Sequence, residues 1–249
     1  MSVLEVVVVV IAGVCAGTIN TVVGSGTLIT FPVLLAVGYS PVVANVSNSI
    51  GLVPGSLSGV IGYRRELRGQ RDRMLRFGAA SLLGGITGAV LLLLVPSAFE
   101  TVVPIFIVIA LALIVVQPRL GAWLAVRRPQ GSEHHIGLVL GVYATGVYGG
   151  YFGAAQGIIL IALLALTVND HLQRLNGLKN VLAGLVNLVA GAIFLFAADV
   201  AWGPVVCIAA GSIVGGQLGA RYGRRLSPDA LRAVIVVVGV FAIVRLVFF

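Results

Sequence analysis

The chain has 249 residues, of which 59% are hydrophobic and only 10% charged, against roughly 25% charged in soluble domains. Its 16 basic and 8 acidic residues give a net charge of +8. That surplus does not indicate a nucleic-acid partner, because the arginines fall in short connections between apolar stretches and report membrane orientation instead.

Hydrophobic runs between turn signals predict segments near 3–23, 27–37, 41–63, 74–95, 101–116, 136–152, 154–168, 173–197, 201–220 and 229–248. All are expected to be helices, since backbone exposed to lipid must satisfy its own hydrogen bonds. No basic region precedes the first run and no small-residue cleavage site follows it, so Met1 to Val23 is expected to be retained. Cys15 and Cys207 lie in apolar segments without metal or disulfide spacing and read as packing residues.

Two adjacent pairs are unusual. Segments 3–23 and 27–37 are separated only by Gly24-Ser-Gly26, and segments 136–152 and 154–168 only by the region Gly149-Gly-Tyr-Phe-Gly153. One member of each pair is too short for an ordinary crossing, so each pair reads as a helix, a break and a half-helix.

The chain also contains itself twice. Ser81-Leu-Leu-Gly-Gly-Ile-Thr-Gly-Ala89 returns as Ser212-Ile-Val-Gly-Gly-Gln-Leu-Gly-Ala220, 131 positions later, with five of nine positions identical. At the same shift Asn45 falls on Asn176, and at a shift of 129 Gly17 and Gly24 fall on Gly146 and Gly153. A duplicated apolar chain of this kind encloses a solute path between its halves. The expected division is an N-terminal repeat over 1–116, a cytoplasmic or interfacial linker over 117–135 and a C-terminal repeat over 136–249. Within the linker Leu120, Trp123 and Leu124 beside Arg119 and Arg127 suggest an interfacial helix, and Glu133, His134 and His135 read as solvated rather than metal-binding.

Charge chooses between two topologies. Arg64 to Arg73, then Arg119, Arg127 and Arg128, then Arg221, Arg224 and Arg225 mark cytoplasmic loops, and Glu100 and Asp199 mark external ones. If each broken pair enters and leaves by one face, all three basic clusters share the cytoplasm and the halves are inverted. If each counts as a crossing, the halves are parallel and the last cluster changes side. The inverted arrangement is preferred.

Polar residues within these apolar segments are the candidates for chemistry. The break Asn20-Thr-Val-Val-Gly-Ser-Gly-Thr27 would leave unpaired N–H groups and the positive end of a helix dipole inside the membrane, a site for an anion. From it Asn20, Gly24, Ser25, Gly26 and Thr27 are assigned to the solute, while Gly13 and Gly17 read as helix packing. In the next span Asn45, Asn48 and Ser49 stand at i, i+3 and i+4, one face of a helix that should point inward. Their counterparts are Asn176, Lys179 and Asn180. Lys179 lies roughly 10 Å along its helix, where an ammonium costs about 2.5 to 3.5 kcal/mol; it either attracts an anion or snorkels to the surface. Asn187 and Gln217 read as interhelical bonds. Asp170 and His171, with Arg174, could relay protons and fit an ordinary loop equally well. No nucleophile and base pair, phosphate-binding loop or metal motif is present in the sequence, so no enzyme chemistry and no cofactor are expected.

The break from Gly17 to Pro32, the span start Ala44-Asn-Val-Ser-Asn-Ser-Ile50 and the paired Gly-Gly-x-x-Gly-Ala segments at 84–89 and 215–220 together resemble the TauE/SafE-type sulfite exporter family, also called the toluenesulfonate uptake permease family. The resemblance covers nearly the whole chain. It implies an inner-membrane permease of about eight spans for sulfite, sulfonates or related organic anions. Family breaks read like Gly-x-Gly-Gly-Gly followed by Pro, whereas this chain has Gly24-Ser-Gly-Thr-Leu28 and Gly153-Ala-Ala-Gln-Gly157, with Ile161 where a proline would match Pro32. Ser25, Thr27 and Gln156 are therefore expected to set the specificity of this member, with Gly153 and Gln156 assigned to the solute from the second break.

The reading is an all-α polytopic membrane protein of the cell inner membrane, with about eight segments in two homologous halves. Each half starts with a helix, break and half-helix unit, and inverted repeats are favoured. The expected function is secondary transport of a small anion by alternating access at a midplane site, with a passive anion channel or a non-transporting scaffold as alternatives. Besides solute and lipid bilayer, the expected partners are a coupling proton or Na+ and a second copy in a homodimer.

Overall fold

Local sequence sets the helix ends. Ser2 and Glu5 cap the first helix reciprocally, Ser2 donating its N–H to Glu5 Oε2 at 2.8 Å and accepting the Glu5 N–H on Oγ at 3.3 Å. Pro41 opens another helix at its first position, where its missing N–H costs nothing. The computed structural model describes residues 1–126, 136–223, 233, 235–240 and 243. Its helices are α1 Val3–Val22, α2 Thr27–Val37, α3 Pro41–Gly62, α4 Arg71–Leu94, α5 Pro96–Val126, α6 Ile136–Tyr151, α7 Gln156–Thr167, α8 Leu172–Ala197 and α9 Trp202–Tyr222.

These bounds follow the predicted segments except at α5. That helix starts at Pro96 and continues through Pro118 to Val126, past the expected end at 116. Prolines are tolerated inside membrane helices because neighbouring groups take up the freed carbonyl. Arg127, Arg128, Glu133, His134, His135, Arg224, Arg225 and most of the predicted segment 229–248 lie outside the described residues.

Among the described residues five helices are long and apolar enough to cross a membrane: α1, α4, α8, α9 and the stretch Pro96–Arg119 of α5. Large apolar side chains point outward from them, Phe196 being 88% exposed. Polarity runs the other way: Asn45, Ser47, Asn48, Ser49, Ser56 and Ser58 give α3 its lower hydropathy, and all six are buried. With lipid outside and hydrogen-bonding groups inside, the chain is an all-helical, multi-pass membrane protein.

The principal helix contacts join one half of the chain to the other. α1 packs on α9 as α6 packs on α4, α3 on α9 as α8 on α4, and α3 crosses α8. The duplicated glycine segments make these contacts. A Cβ on Gly215 would lie 2.1 Å from the Val14 carbonyl oxygen, and one on Gly84 would lie 2.3 Å from that of Tyr143. Backbones this close gain dispersion contacts that larger residues would forbid.

The contacts also fix helix direction. Gly211, Gly215 and Gly219 of α9 meet Val10, Val14 and Thr18 of α1 in rising order, so α1 and α9 run parallel. Gly51, Gly55 and Gly62 of α3 meet Ile208, Ser212 and Ala220 likewise. Gly84 and Gly88 of α4 meet Tyr143 and Val147 of α6 in rising order, and Gly78 and Gly85 meet Leu185 and Val189 of α8. Against α3, however, α8 is antiparallel: Gly177 lies beside Tyr63, Gly184 beside Ser56 and Gly191 beside Ile50. Helices α1, α3 and α9 therefore point one way and α4, α6 and α8 the other.

Candidate functional site

The two breaks form as their residues dictate. Gly24 has a φ of +90°, which only glycine adopts cheaply, and α2 turns back so closely that a Cβ on Gly26 would lie 2.5 Å from the Ala16 carbonyl oxygen. In the second break Gly153 turns at φ +76°, and Ala155 is held at φ +60°, a conformation that costs a side-chain-bearing residue about 1–2 kcal/mol.

The breaks meet. Gly157 donates its N–H to the Gly24 carbonyl oxygen at 3.0 Å, and a Cβ on either residue would lie 2.4 Å from the Cα of the other. This contact brings together the first turns of α2 and α7, both presenting the positive end of a helix dipole. Among the described residues, no acceptor takes the backbone N–H of Ser25, Gly26 or Thr27. Ser25 is 1% exposed and Gln156 4% exposed, yet Ser25 Oγ and Gln156 Nε2 have no partner among those residues. They flank the glycine contact on either strand of the junction. The Gln156 amide lies over Gly149, where a Cβ would come within 2.4 Å of Nε2. Gly153 supplies the turn, while Gly157 makes the contact; sequence comparison had matched Gly24 to Gly153.

The α3 residues divide their roles. Asn48 accepts the Thr30 hydroxyl proton on Oδ1 and donates from Nδ2 to Thr27 Oγ1 at 3.3 Å, tying α3 to the start of α2. Asn45 donates from Nδ2 to the Tyr151 carbonyl oxygen at 2.9 Å, capping the end of α6 in the opposite half, and its Oδ1 is buried without a donor among the described residues. Ser49 bonds back to the Asn45 carbonyl oxygen at 2.9 Å, within its own helix.

The α8 residues converge on the end of α1. Asn176 and Asn180 donate from Nδ2 to the Thr21 carbonyl oxygen at 3.3 and 3.2 Å. Lys179 Nζ donates to the same oxygen at 3.2 Å and to the Asn20 carbonyl oxygen at 3.1 Å. Lys179 is 1% exposed, so it does not snorkel; it serves the negative end of the α1 dipole. Asn20 takes part through its backbone carbonyl. Each half thus caps the broken helix of the other, Asn45 on Tyr151 and Asn176 on Thr21.

Sequence reading missed Thr30 and Tyr63. Thr30 lies one turn after Thr27 on α2, a spacing that could have flagged it. Tyr63 accepts from Asn176 Nδ2 at 2.8 Å and lines a cavity of about 230 Å³ with Gln117, Gln173 and Asn176. This cavity opens beside the basic ends of α3 and α8. At the opposite ends, Phe31, Phe99, Phe106, Tyr148, Tyr151 and Phe152 interlock, mostly edge to face.

Away from the junction, Asp170 accepts from Arg73 at 2.5 Å and from Arg174 Nε at 2.9 Å. Burial alone would raise its carboxyl, but the two guanidiniums and the His171 N–H hold it below the usual carboxylate range. His171 meets Asp170 through that backbone N–H at 2.8 Å. Asn187 donates to Ser56 Oγ and Gln217 to the Ser58 carbonyl oxygen, interhelical bonds as expected. Cys15 and Cys207 pack against the core as free thiols.

Comparison with known proteins gives one consistent result. "Probable membrane transporter protein YfcA" of Escherichia coli strain K12 is 27% identical over 242 residues, covering 94% of this chain and 86% of that protein. "Probable membrane transporter protein ORF9" of a Sinorhizobium species is 26% identical over 244 residues, covering 95% and 90%. A "Probable membrane transporter protein" of Haemophilus influenzae is 26% identical over 239 residues, covering 95% and 92%. No solved structure matches the chain. The profile described as "Sulfite exporter TauE/SafE" matches residues 9–246, and with buried polar breaks at the junction of its halves this chain belongs to the TauE/SafE family of membrane transporters.

Proposed function

We propose that the chain is a secondary transporter of a small anion, of the class of sulfite, a sulfonate or a related organic anion, which binds where the two breaks meet. The observation that carries the reading is the junction at Gly24 and Gly157: two half-helix N-termini meet there, the N–H groups of Ser25, Gly26 and Thr27 have no acceptor among the described residues, and the unpartnered Ser25 hydroxyl and Gln156 Nε2 flank the contact. Such an array offers donors and positive potential without a fixed counter-ion, which suits a monoanion and disfavours a cation.

The opposed helix directions support inverted repeats, with each broken pair entering and leaving by one face and about eight membrane segments in all. On that topology Arg64 to Arg73, Arg119, Arg174 and Arg221 share the cytoplasmic side of the cell inner membrane, and Glu5, Glu100 and Asp199 face outward. The polar cavity beside Tyr63 would then be the cytoplasmic mouth, and the aromatic cluster around Phe99 the closed external gate. Rocking one half against the other would exchange them, with a proton or Na+ as the coupling ion and a homodimer as the expected assembly.

The test is a flux screen of labelled sulfite, sulfonates and small carboxylates in proteoliposomes. Saturable anion flux that a trans-side anion accelerates supports the reading. Passive, unsaturable flux supports a channel, and a neutral or cationic substrate overturns the anion site.

A further inference from the structure

We infer that Lys179 carries the proton that couples the transport cycle, an inference resting on the anion transport proposed above. Lys179 is the single lysine of the chain; the other 15 of its 16 basic residues are arginine. Arginine keeps its proton under all relevant conditions, whereas a buried lysine can release one. The one side chain among these 16 that can lose its charge is also the one bonded to the end of α1, where the first break begins.

Its bonding suits two protonation states. Nζ has two acceptors, the carbonyl oxygens of Asn20 and Thr21 at 3.1 and 3.2 Å. A neutral amine has two N–H bonds, and both find acceptors there. An ammonium has three, so one remains for a further acceptor, and no carboxylate supplies it among the described residues. An anion at the adjacent break is the missing acceptor and the missing counter-charge.

Facing elements carry Tyr63 at the end of α3 and Glu66 just past it, where a Cβ on Gly177 would lie 3.5 Å from the Glu66 Cβ, then Arg71, Asp72, Arg73 and Arg76 at the start of α4, and tyrosines on α6; α7 has no titratable residue, and the bonds of Lys179 go to the two carbonyls alone. On α1, Glu5 lies at the far end from Asn20, and Cys15 is five residues before it. Asp170 and its arginines form a separate cluster at the start of α8. Asn176, one turn before Lys179 on the same helix, lines the 230 Å³ cavity, which gives water a route to within a turn of the amine.

The cycle balances as follows. A proton from water on one side binds neutral Lys179, the anion binds the resulting ammonium, and the loaded protein changes orientation. Anion and proton leave on the other side, and the protein returns with Lys179 neutral. One monoanion and one proton move together without net charge. A bare ammonium facing an empty site is too costly to reorient, so the uncoupled leak is suppressed.

Lys179→Arg in proteoliposomes separates coupling from structure, with labelled sulfite and methanesulfonate as probes. An arginine can carry the anion across but cannot discharge its proton for the return, so the ratio of net uptake to anion exchange is expected to fall at least about tenfold. A variant in which net uptake and exchange stay in the wild-type ratio overturns the inference and leaves Lys179 a cap on α1. If the variant does not reach the membrane, the wild-type protein decides: net uptake indifferent to an imposed membrane potential supports paired movement of anion and proton, and uptake driven by an inside-positive potential overturns it. Absence of any anion flux by the wild-type protein would sink the transporter reading itself, a distinct result.

Discussion

Gly157 donates its N–H to the carbonyl oxygen of Gly24 at 3.0 Å, and through this bond the breaks of two separate half-chains meet. Neither position admits a side chain, since a Cβ on either lies 2.4 Å from the Cα of the other, and Gly24 also has φ +90°. Gly24→Ala and Gly157→Ala are each expected to cost more than about 2 kcal/mol, through strain and separation of the half-helices. Thermal unfolding in detergent reads the loss; wild-type melting would show that the contact is dispensable.

Ser25 and Gln156 should behave in the opposite manner. A buried polar atom without a partner contributes nothing to folding, so Ser25→Ala and Gln156→Leu are expected to leave melting unchanged or slightly raised. Hydrogen bonds to a charged solute are worth about 1.5–3 kcal/mol, so anion affinity should fall roughly 10- to 100-fold. Apparent KM for flux, measured beside the melting temperature, separates the two effects. Lower stability with unchanged KM would remove both residues from the site.

The reciprocal caps make a third comparison. Asn176→Ala takes a donor from the Tyr63 hydroxyl as well as one of three from the Thr21 carbonyl, whereas Asn45→Ala takes one donor from the Tyr151 carbonyl and with it a buried amide oxygen that has no donor among the described residues. The Asn176 variant is therefore expected to be the less stable of the two, by about 1 kcal/mol. Equal losses in paired unfolding measurements would contradict this assignment.

Asp170 gives the fold a pH dependence at its basic end. Burial pushes its carboxyl up, but hydrogen bonds from Arg73 and Arg174 outweigh it and hold the folded-state value below normal. The stabilisation is therefore present above the unfolded carboxylate pKa of about 4 and is lost as pH falls through the lower folded value. Asp170→Asn should cost about 1–3 kcal/mol at neutral pH and little in acid. Unfolding curves at the two pH values check this; a difference independent of pH would contradict it.

Much of this fold is legible in the sequence because a membrane protein must hide its backbone in helices and shorten them where it breaks them. Glycine pairs at Gly24 and Gly26 and at Gly153 and Gly157 therefore mark both breaks. The burial of Asn45, Asn48, Ser49, Asn176 and Asn180 follows from the same logic, since polar groups in lipid have nowhere else to go. What one-dimensional pattern does not carry is which half answers which. The meeting of Gly24 with Gly157, and the convergence of Asn176, Lys179 and Asn180 on Thr21, depend on helices more than 130 positions apart in the chain. The extension of α5 to Val126 was hidden for a simpler reason: Pro118 and Arg119 resemble a stop signal, yet a helix can carry both near an interface.

The central claim is that the paired breaks bind an anion for transport, and counterflow in proteoliposomes tests it most directly. Vesicles holding unlabelled sulfite should accumulate labelled sulfite transiently with wild-type protein, and Gln156→Leu should need roughly 10- to 100-fold more sulfite for the same rate. Counterflow that Gln156→Leu and Ser25→Ala leave unaltered would contradict the claim, placing any transport path elsewhere in the molecule.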